Sequence, residues 1–316
     1  MTSHARPVVV VSKCLEFAAC RYNGQTIRAP LVSALAKFAE LRAVCPEVEI
    51  GLGMPRDPIR IVSIGGDDRL IQPTTGRDVT DAIRAFGGTY LSQLGAVDGF
   101  ILKGRSPSCG LKDVKRYATG ARATPVGTGP GLFGLAVLDA FPDAAIEDEG
   151  RLTNFRLRHH WLTKLFLWAA WRDVERRRAM GALVRFHADI GLLLMAYHPA
   201  ELRVLGRVVA NAQRRPIGAA LTDYRDGLAR ALARPARPTS HINVLRHGMG
   251  CFTKHLSAAE RAHFLDALAE YQAGRLALHA PLAVLRSWVA RFDETSLATQ
   301  RYFSPYPREL LDLRGS

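Results

Sequence analysis

Apolar residues along the first 150 positions fall into two alternating patterns. Residues 7–12 (PVVVVS) are a continuous β-branched run ending at Lys13-Cys14, as a strand buried on both faces of a parallel sheet reads. Residues 31–44 (LVSALAKFAELRAV) carry apolar side chains at helical spacing and lead to Cys45-Pro46. Residues 59–64 (IRIVSI) read as a second strand, 79–94 as an amphipathic helix, and 99–103 (GFILK) as a third strand opening into 104–111. Strand and helix in turn predict an α/β N-terminal domain with a mostly parallel sheet. Ligands of open parallel sheets bind beyond the carboxyl ends of the strands. Cys14 and Cys109 both fall just past such an end, and Cys45 joins them if the helix before it runs back to the same rim.

After the acidic stretch 147–151 (EDEGR) the pattern turns helical almost throughout, starting with the Arg- and Trp-rich segment from Asn154. Helices are expected over 162–188, 200–212, 216–233, 258–273 and 281–291, with a loop over 233–240 (ARPARPTS). The chain of 316 residues, 48% apolar, has material for two cores. The expected division is an α/β domain of residues 1–155 followed by an all-α C-terminal domain of residues 156–316.

Composition narrows the function classes. No charged-then-apolar leader opens the chain, and no apolar run approaches the ~18 residues of a membrane span, so a cytoplasmic protein with no membrane partner is expected. Five cysteines (Cys14, Cys20, Cys45, Cys109 and Cys251) spread over this length do not form a disulfide framework. The net charge of +14 is unevenly placed: residues 1–150 hold 17 Lys and Arg against 16 Asp and Glu, leaving 26 against 13 of the chain's 43 and 29 to the rest. A basic excess of that kind marks a phosphate-facing surface or a general Arg bias.

The cysteines carry the chemistry. Structural zinc sites draw on close Cys-x₂₋₄-Cys pairs, and none is present. Single cysteines on separate loops fit a cluster that takes one ligand from each of several directions, and three thiolates on a cubane leave one iron open to bind sulfur. Cys20 is the rival ligand, and composition alone leaves a four-cysteine electron-transfer cluster open.

Three segments, VSKCLEFAACRYNG (11–24), Cys45-Pro46-Glu47 and LKGRSPSCG (102–110), together with the closing DEGRL, resemble the thiouracil desulfidase (TudS) family over about residues 7–155. The resemblance implies a [4Fe-4S] cluster on Cys14, Cys45 and Cys109, not Cys20, whose fourth iron takes sulfur from thiouracil or thiouridine monophosphate. It implies Glu47 and Ser106 as the polar pair beside the cluster. The family often has glycine where Glu16-Phe17 stands here. Hydrolysis of a C–S bond needs a proton acceptor for the attacking water, a role that suits Glu47, while Ser106 suits holding the water or the substrate carbonyl. Arg21, Lys103 and Ser108 are expected to contact substrate, and Arg105 reads as an exposed cation. The run 127–131 (GTGPG) before an apolar helix reads as a plain loop, a phosphate cradle being the alternative.

Residues from about 185 to 314 resemble the YbgA-like helical domain often fused behind this desulfidase domain, carried by Phe186-His187, LLLMAYH (192–198), HINVLRH (241–247) and PYPREL (305–310). His241 and His247 are six apart and read as structural rather than as metal ligands. Two function classes result. One is an enzyme releasing sulfide from a small thiopyrimidine or its nucleotide. The other is an RNA-binding protein whose basic half docks thiolated tRNA. Near-neutrality of the catalytic half favours the small substrate, since an RNA enzyme should carry cations beside its site as well. Trp161, Trp168 and Trp171 among arginines suit RNA or a packed helix, packing being preferred.

Overall fold

The computed structural model describes residues 4–119 and 124–311. The last residues of the helical resemblance, 312–314, lie outside them. The chain forms two compact units, one of residues 5–169 with 307–311 and one of residue 4 with 170–306.

In the first unit the elements run β1 (Val8–Ser12), α1 (Pro30–Leu35), β2 (Glu40–Val44), α2 (Pro46–Glu49), β3 (Arg60–Ile64), β4 (Asp67–Gln72), β5 (Arg77–Asp78), α3 (Thr80–Gln93), β6 (Gly99–Leu102), β7 (Val114–Tyr117), β8 (Pro125–Gly129), α4 (Leu132–Ala140) and β9 (Ala145–Asp148). Strand β1 is buried along its whole length and pairs in parallel on both sides, with β2 and β6, in a sheet of order β2-β1-β6-β9. All four strands are parallel, so Ser12, Val44, Leu102 and Asp148 end at one edge.

Two expectations change. Residues 31–44 are helical only as far as Leu35; 40–44 is the strand β2. Its alternation of Glu40 and Arg42 with Leu41 and Ala43 suits a sheet edge, and the pairing of β2 with β1 overrides a helical spacing that fits both states. Residues 59–64 do form a strand, but β3 belongs to a second, mixed sheet of order β5-β4-β3-β7-β8. Gly65-Gly66 between β3 and β4 both take positive φ, 61° and 92°, which a two-residue hairpin turn of the primed type requires. Of the run 127–131, read as a plain loop, residues 127–129 belong to the strand β8. A core of Phe100, Ile61, Leu70, Ile83, Phe133 and Val137 joins both sheets to α3 and α4.

The remaining helices are α5 (Phe155–Arg177), α6 (Met180–Asp189), α7 (Gly191–Tyr197), α8 (Pro199–Ala210), α9 (Ile217–Ala231), α10 (Pro238–Gly250), α11 (Ala258–Gln272), α12 (His279–Arg291) and α13 (Thr295–Ala298). The single helix expected over 162–188 breaks at Arg178, whose φ of 46° ends α5. The loop expected up to residue 240 stops earlier, because Pro238 starts α10, a helix not among those expected. Trp161, Trp168 and Trp171 are all buried; Trp161 donates to the Ala145 carbonyl at 2.8 Å, and Trp171 stacks on Tyr224. The packed reading of this aromatic stripe therefore holds. His241 pairs with the Tyr302 hydroxyl at 3.0 Å and His187 with that of Tyr224 at 2.9 Å, as structural histidines do. No single helix among the described residues is long and apolar enough to cross a membrane.

Candidate active site

The carboxyl edge of the parallel sheet carries a cavity of about 300 Å³ lined by Cys14, Cys20, Cys45 and Cys109, with Arg21, Tyr22, Glu47, Arg56, Lys103, Arg105 and Ser106 on its walls. Each cysteine arrives by its own route. Cys14 lies two residues past β1, in a turn pinned by Lys13 N–H donating to the Val44 carbonyl at 2.8 Å. Glu16, in the stretch where the family often has glycine, takes φ 73°, the left-handed region that favours glycine. Its carboxylate accepts from the Ala29 amide, a bond that holds this costly conformation. Cys45 follows β2 directly, not a helix, and is the N-cap residue of α2, with Pro46 as the first helical residue.

Cys109 lies in the loop after β6, shaped by Ser106. The Ser106 hydroxyl oxygen accepts from the amides of Ser108 (3.3 Å) and Cys109 (3.2 Å), and its carbonyl from Gly110 (2.8 Å). The start of α4 completes the cradle: the Gly131, Leu132 and Gly134 amides donate to the carbonyls of Gly110 (2.8 Å), Pro107 (3.2 Å) and Ser108 (2.9 Å). Those amides serve the cysteine loop, so the phosphate-cradle alternative for 127–131 falls away.

Glu47 sits at the centre of a charged network. Its Oε2 accepts from Arg56 Nε at 2.9 Å and Nη2 at 2.6 Å, while Oε1 accepts from the Ser108 hydroxyl at 2.8 Å. Ser108, expected to touch substrate, is instead fully buried and absent from the cavity wall, its hydroxyl given to Glu47. Lys103 lines the cavity, but its ammonium is paired with Glu149 and the Gly104 carbonyl, and the other Glu149 oxygen accepts from the Gly104 amide at 2.7 Å. The glutamate of the closing DEGRL thus neutralises a cation beside the thiols. Arg21 lies over the Tyr22 ring, and Arg105 is exposed at the mouth with φ 60°.

Arg56 joins the site without having stood out in the sequence, and Ser12 and Glu149, which lie in the quoted segments, join it without having been given a role. The only local signal for Arg56 is an arginine between Pro55 and Pro58, just after the Cys-Pro-Glu segment. Its partner is nine residues back, and only the fold closes that distance.

Burial first, then the neighbouring Cys45, pushes the Cys14 thiol up to about 11, with Lys103 and Arg21 working the other way. The same two causes lift Cys20 to about 12. Burial also carries Cys109 well above the usual thiol range against the hydrogen bond from Ser12. Thiols so placed stay protonated unless a cationic group takes them as ligands and releases their protons. Among the described residues no three Cys, His, Asp or Glu side chains are arranged to hold a single metal ion. A cubane seats each thiolate on a different iron, so cysteines that reach one cavity from separate loops fit such a group.

The fold and the edge cavity define an α/β domain with a thiol-lined, charge-networked site. The 2-thiouracil desulfurase family matches residues 9–149, and a family of unknown function, DUF1722, matches 192–307. The uncharacterised protein YbgA of Escherichia coli K12 is 32% identical over 162 residues, 51% of this chain and 86% of YbgA. The uncharacterised protein YbbK of Bacillus subtilis 168 is 32% identical over 110 residues, 33% of this chain and 73% of YbbK. The solved structure of the [4Fe-4S]-dependent thiouracil desulfidase TudS aligns with 47% of this chain and 94% of its own, at 27% identity and a TM-score of 0.35. The chain belongs to the families of YbgA and YbbK, and its residues 9–149 match the 2-thiouracil desulfurase family.

Proposed function

We propose that the chain is a desulfidase releasing sulfide from a thiopyrimidine, thiouracil or 4-thiouridine monophosphate, with residues 1–155 as the catalytic domain and 156–316 as its helical companion. Cys14, Cys45 and Cys109 would hold a [4Fe-4S] cluster. The observation that carries the reading is the meeting of these thiols with a fixed carboxylate, Glu47, on one cavity at the sheet's carboxyl edge. When bound by three thiolates, such a cluster supplies an iron with a position free for the substrate's sulfur.

The chain's own residues do the rest. Glu47 Oε1 spends one lone pair on Ser108 and keeps the other for the proton of an attacking water. Because the Ser106 oxygen accepts from two amides, its hydrogen is left to donate to the water or a pyrimidine carbonyl. Arg21 is the cation that faces the substrate's oxygens, whereas Lys103, already paired, balances Glu149.

A second reading, action on the thio-base within tRNA, gains from two observations. The near-neutrality of the first half does not extend to the cavity, where Arg21 and Arg105 both stand on the wall. A neighbouring groove of about 750 Å³ holds Arg60, Lys115, Tyr22 and Tyr117, with the Arg60 guanidinium 5.0 Å from the Tyr117 ring centre. Such a groove suits a substrate longer than a free base.

Anaerobic reconstitution followed by iron and sulfide counting tests the cofactor, with about four of each per chain expected. Sulfide release from thiouracil, thiouridine monophosphate and thiolated tRNA then tests the activity. In the loaded protein, Glu47→Ala should keep the iron and lose turnover by roughly 10²–10⁴-fold. Bound zinc, or a loaded protein that desulfurates none of the three, would overturn the proposal.

A further inference from the structure

We propose that Arg56 is a positioning residue for the desulfidase reaction: it fixes Glu47 so that one carboxylate oxygen is locked and the other is presented to substrate. The inference rests on the reading of Glu47 as proton acceptor.

The Arg56 side chain is 4% exposed and that of Glu47 12%. The guanidinium is used on several edges at once. Nε and Nη2 both donate to Glu47 Oε2, at 2.9 and 2.6 Å, while Nη1 donates to the carbonyls of Cys20 at 3.1 Å and Gly53 at 3.0 Å. Oε2 therefore has both lone pairs occupied by charge-assisted bonds, and rotation of the carboxyl group would break them together. Oε1 has the single bond from Ser108. Arg56 thus selects which oxygen is available, and the two backbone carbonyls fix where the guanidinium itself stands. A lysine offers one compact ammonium and cannot hold Oε2 twice while spanning Cys20 and Gly53, so this role is specific to the planar fork. The tie to the Cys20 carbonyl also raises the rival idea that Arg56 only shapes the cysteine segment.

A double-mutant cycle in the full-length, reconstituted protein separates the two. Iron content, KM and kcat are measured for Arg56→Gln, Arg56→Lys, Glu47→Gln and Arg56→Gln/Glu47→Gln. If Arg56 acts through Glu47, Arg56→Gln keeps the iron and KM and lowers kcat by roughly 10–100-fold, the scale of a misplaced reacting group. Arg56→Lys should recover only part of that loss. In the Glu47→Gln background, removing Arg56 should then cost less than about twofold, because coupled residues are not additive. Loss of iron in Arg56→Gln, or kcat losses that multiply in the double variant, would overturn the proposal in favour of a purely structural arginine. Should Arg56→Gln fail to fold, Arg56→Lys, which keeps the charge, carries the same cycle. Wild-type turnover in Glu47→Gln would be a different failure, that of Glu47 as proton acceptor.

Discussion

Replacing Gly134 by alanine should dislodge the cysteine loop without touching a thiol. The first turn of α4 lies so close to residues 106–110 that a Cβ built on Gly134 would stand 2.3 Å from the Gly110 carbonyl oxygen and 2.9 Å from that of Cys109. Both are backbone atoms, so no side chain can swing away. The loop or the helix must separate by about 1 Å, which weakens the Gly134-to-Ser108 and Gly131-to-Gly110 hydrogen bonds at 2.9 and 2.8 Å. Overpacking of this kind costs about 1–3 kcal/mol. Each weakened hydrogen bond adds about 0.5–1.5 kcal/mol. A total of about 2–6 kcal/mol would lower the melting temperature of a unit of this size by about 4–24 °C. Iron content after reconstitution should fall with it, because Cys109 loses its fixed place. Gly127→Ala is the internal control, since a Cβ there meets nothing within 4 Å and φ is ordinary. Both variants are compared by calorimetry and iron counting. Wild-type melting and full iron in Gly134→Ala would refute the claim that α4 is the shelf on which the cysteine loop rests.

Two further tests address the ligand set and the substrate. Cys14→Ala, Cys45→Ala and Cys109→Ala should each abolish the brown cluster absorption, whereas Cys20→Ala and Cys251→Ala keep it; loss in Cys20→Ala with retention in any of the first three would reverse the assignment. The full-length protein should release sulfide faster from thiouracil or thiouridine monophosphate than from thiolated tRNA. The opposite order, with tRNA binding that weakens steeply as salt rises, would make the RNA reading the leading one.

Much of the first unit is legible in the linear chain because it is written in local periods. A run of four valines reads as a strand buried on both faces, and cysteines just past strand ends must lie near a sheet edge if the strands are parallel. The residue types of the site were likewise readable: Cys14, Cys45, Cys109, Glu47 and Ser106 all line one cavity. Pairing was not. Whether 40–44 continues a helix or forms a strand depends on β1 lying beside it, thirty-two residues away in register from Val8 to Glu40. The separation of β3 into a second sheet rests on its partners β4 and β7, which no window around 59–64 contains. The same holds for function. Ser108 looks like a substrate contact by its place beside Cys109, and becomes a support for Glu47 only because the fold brings the two together across sixty-one positions. Arg56 and Glu149 look like ordinary surface charges until burial forces each to find the partner that neutralises it. Local pattern determines what each segment is inclined to be, since it reflects only neighbours along the chain. Which side chains share a low-dielectric site depends on contacts distant in sequence, and only the tertiary structure decided those.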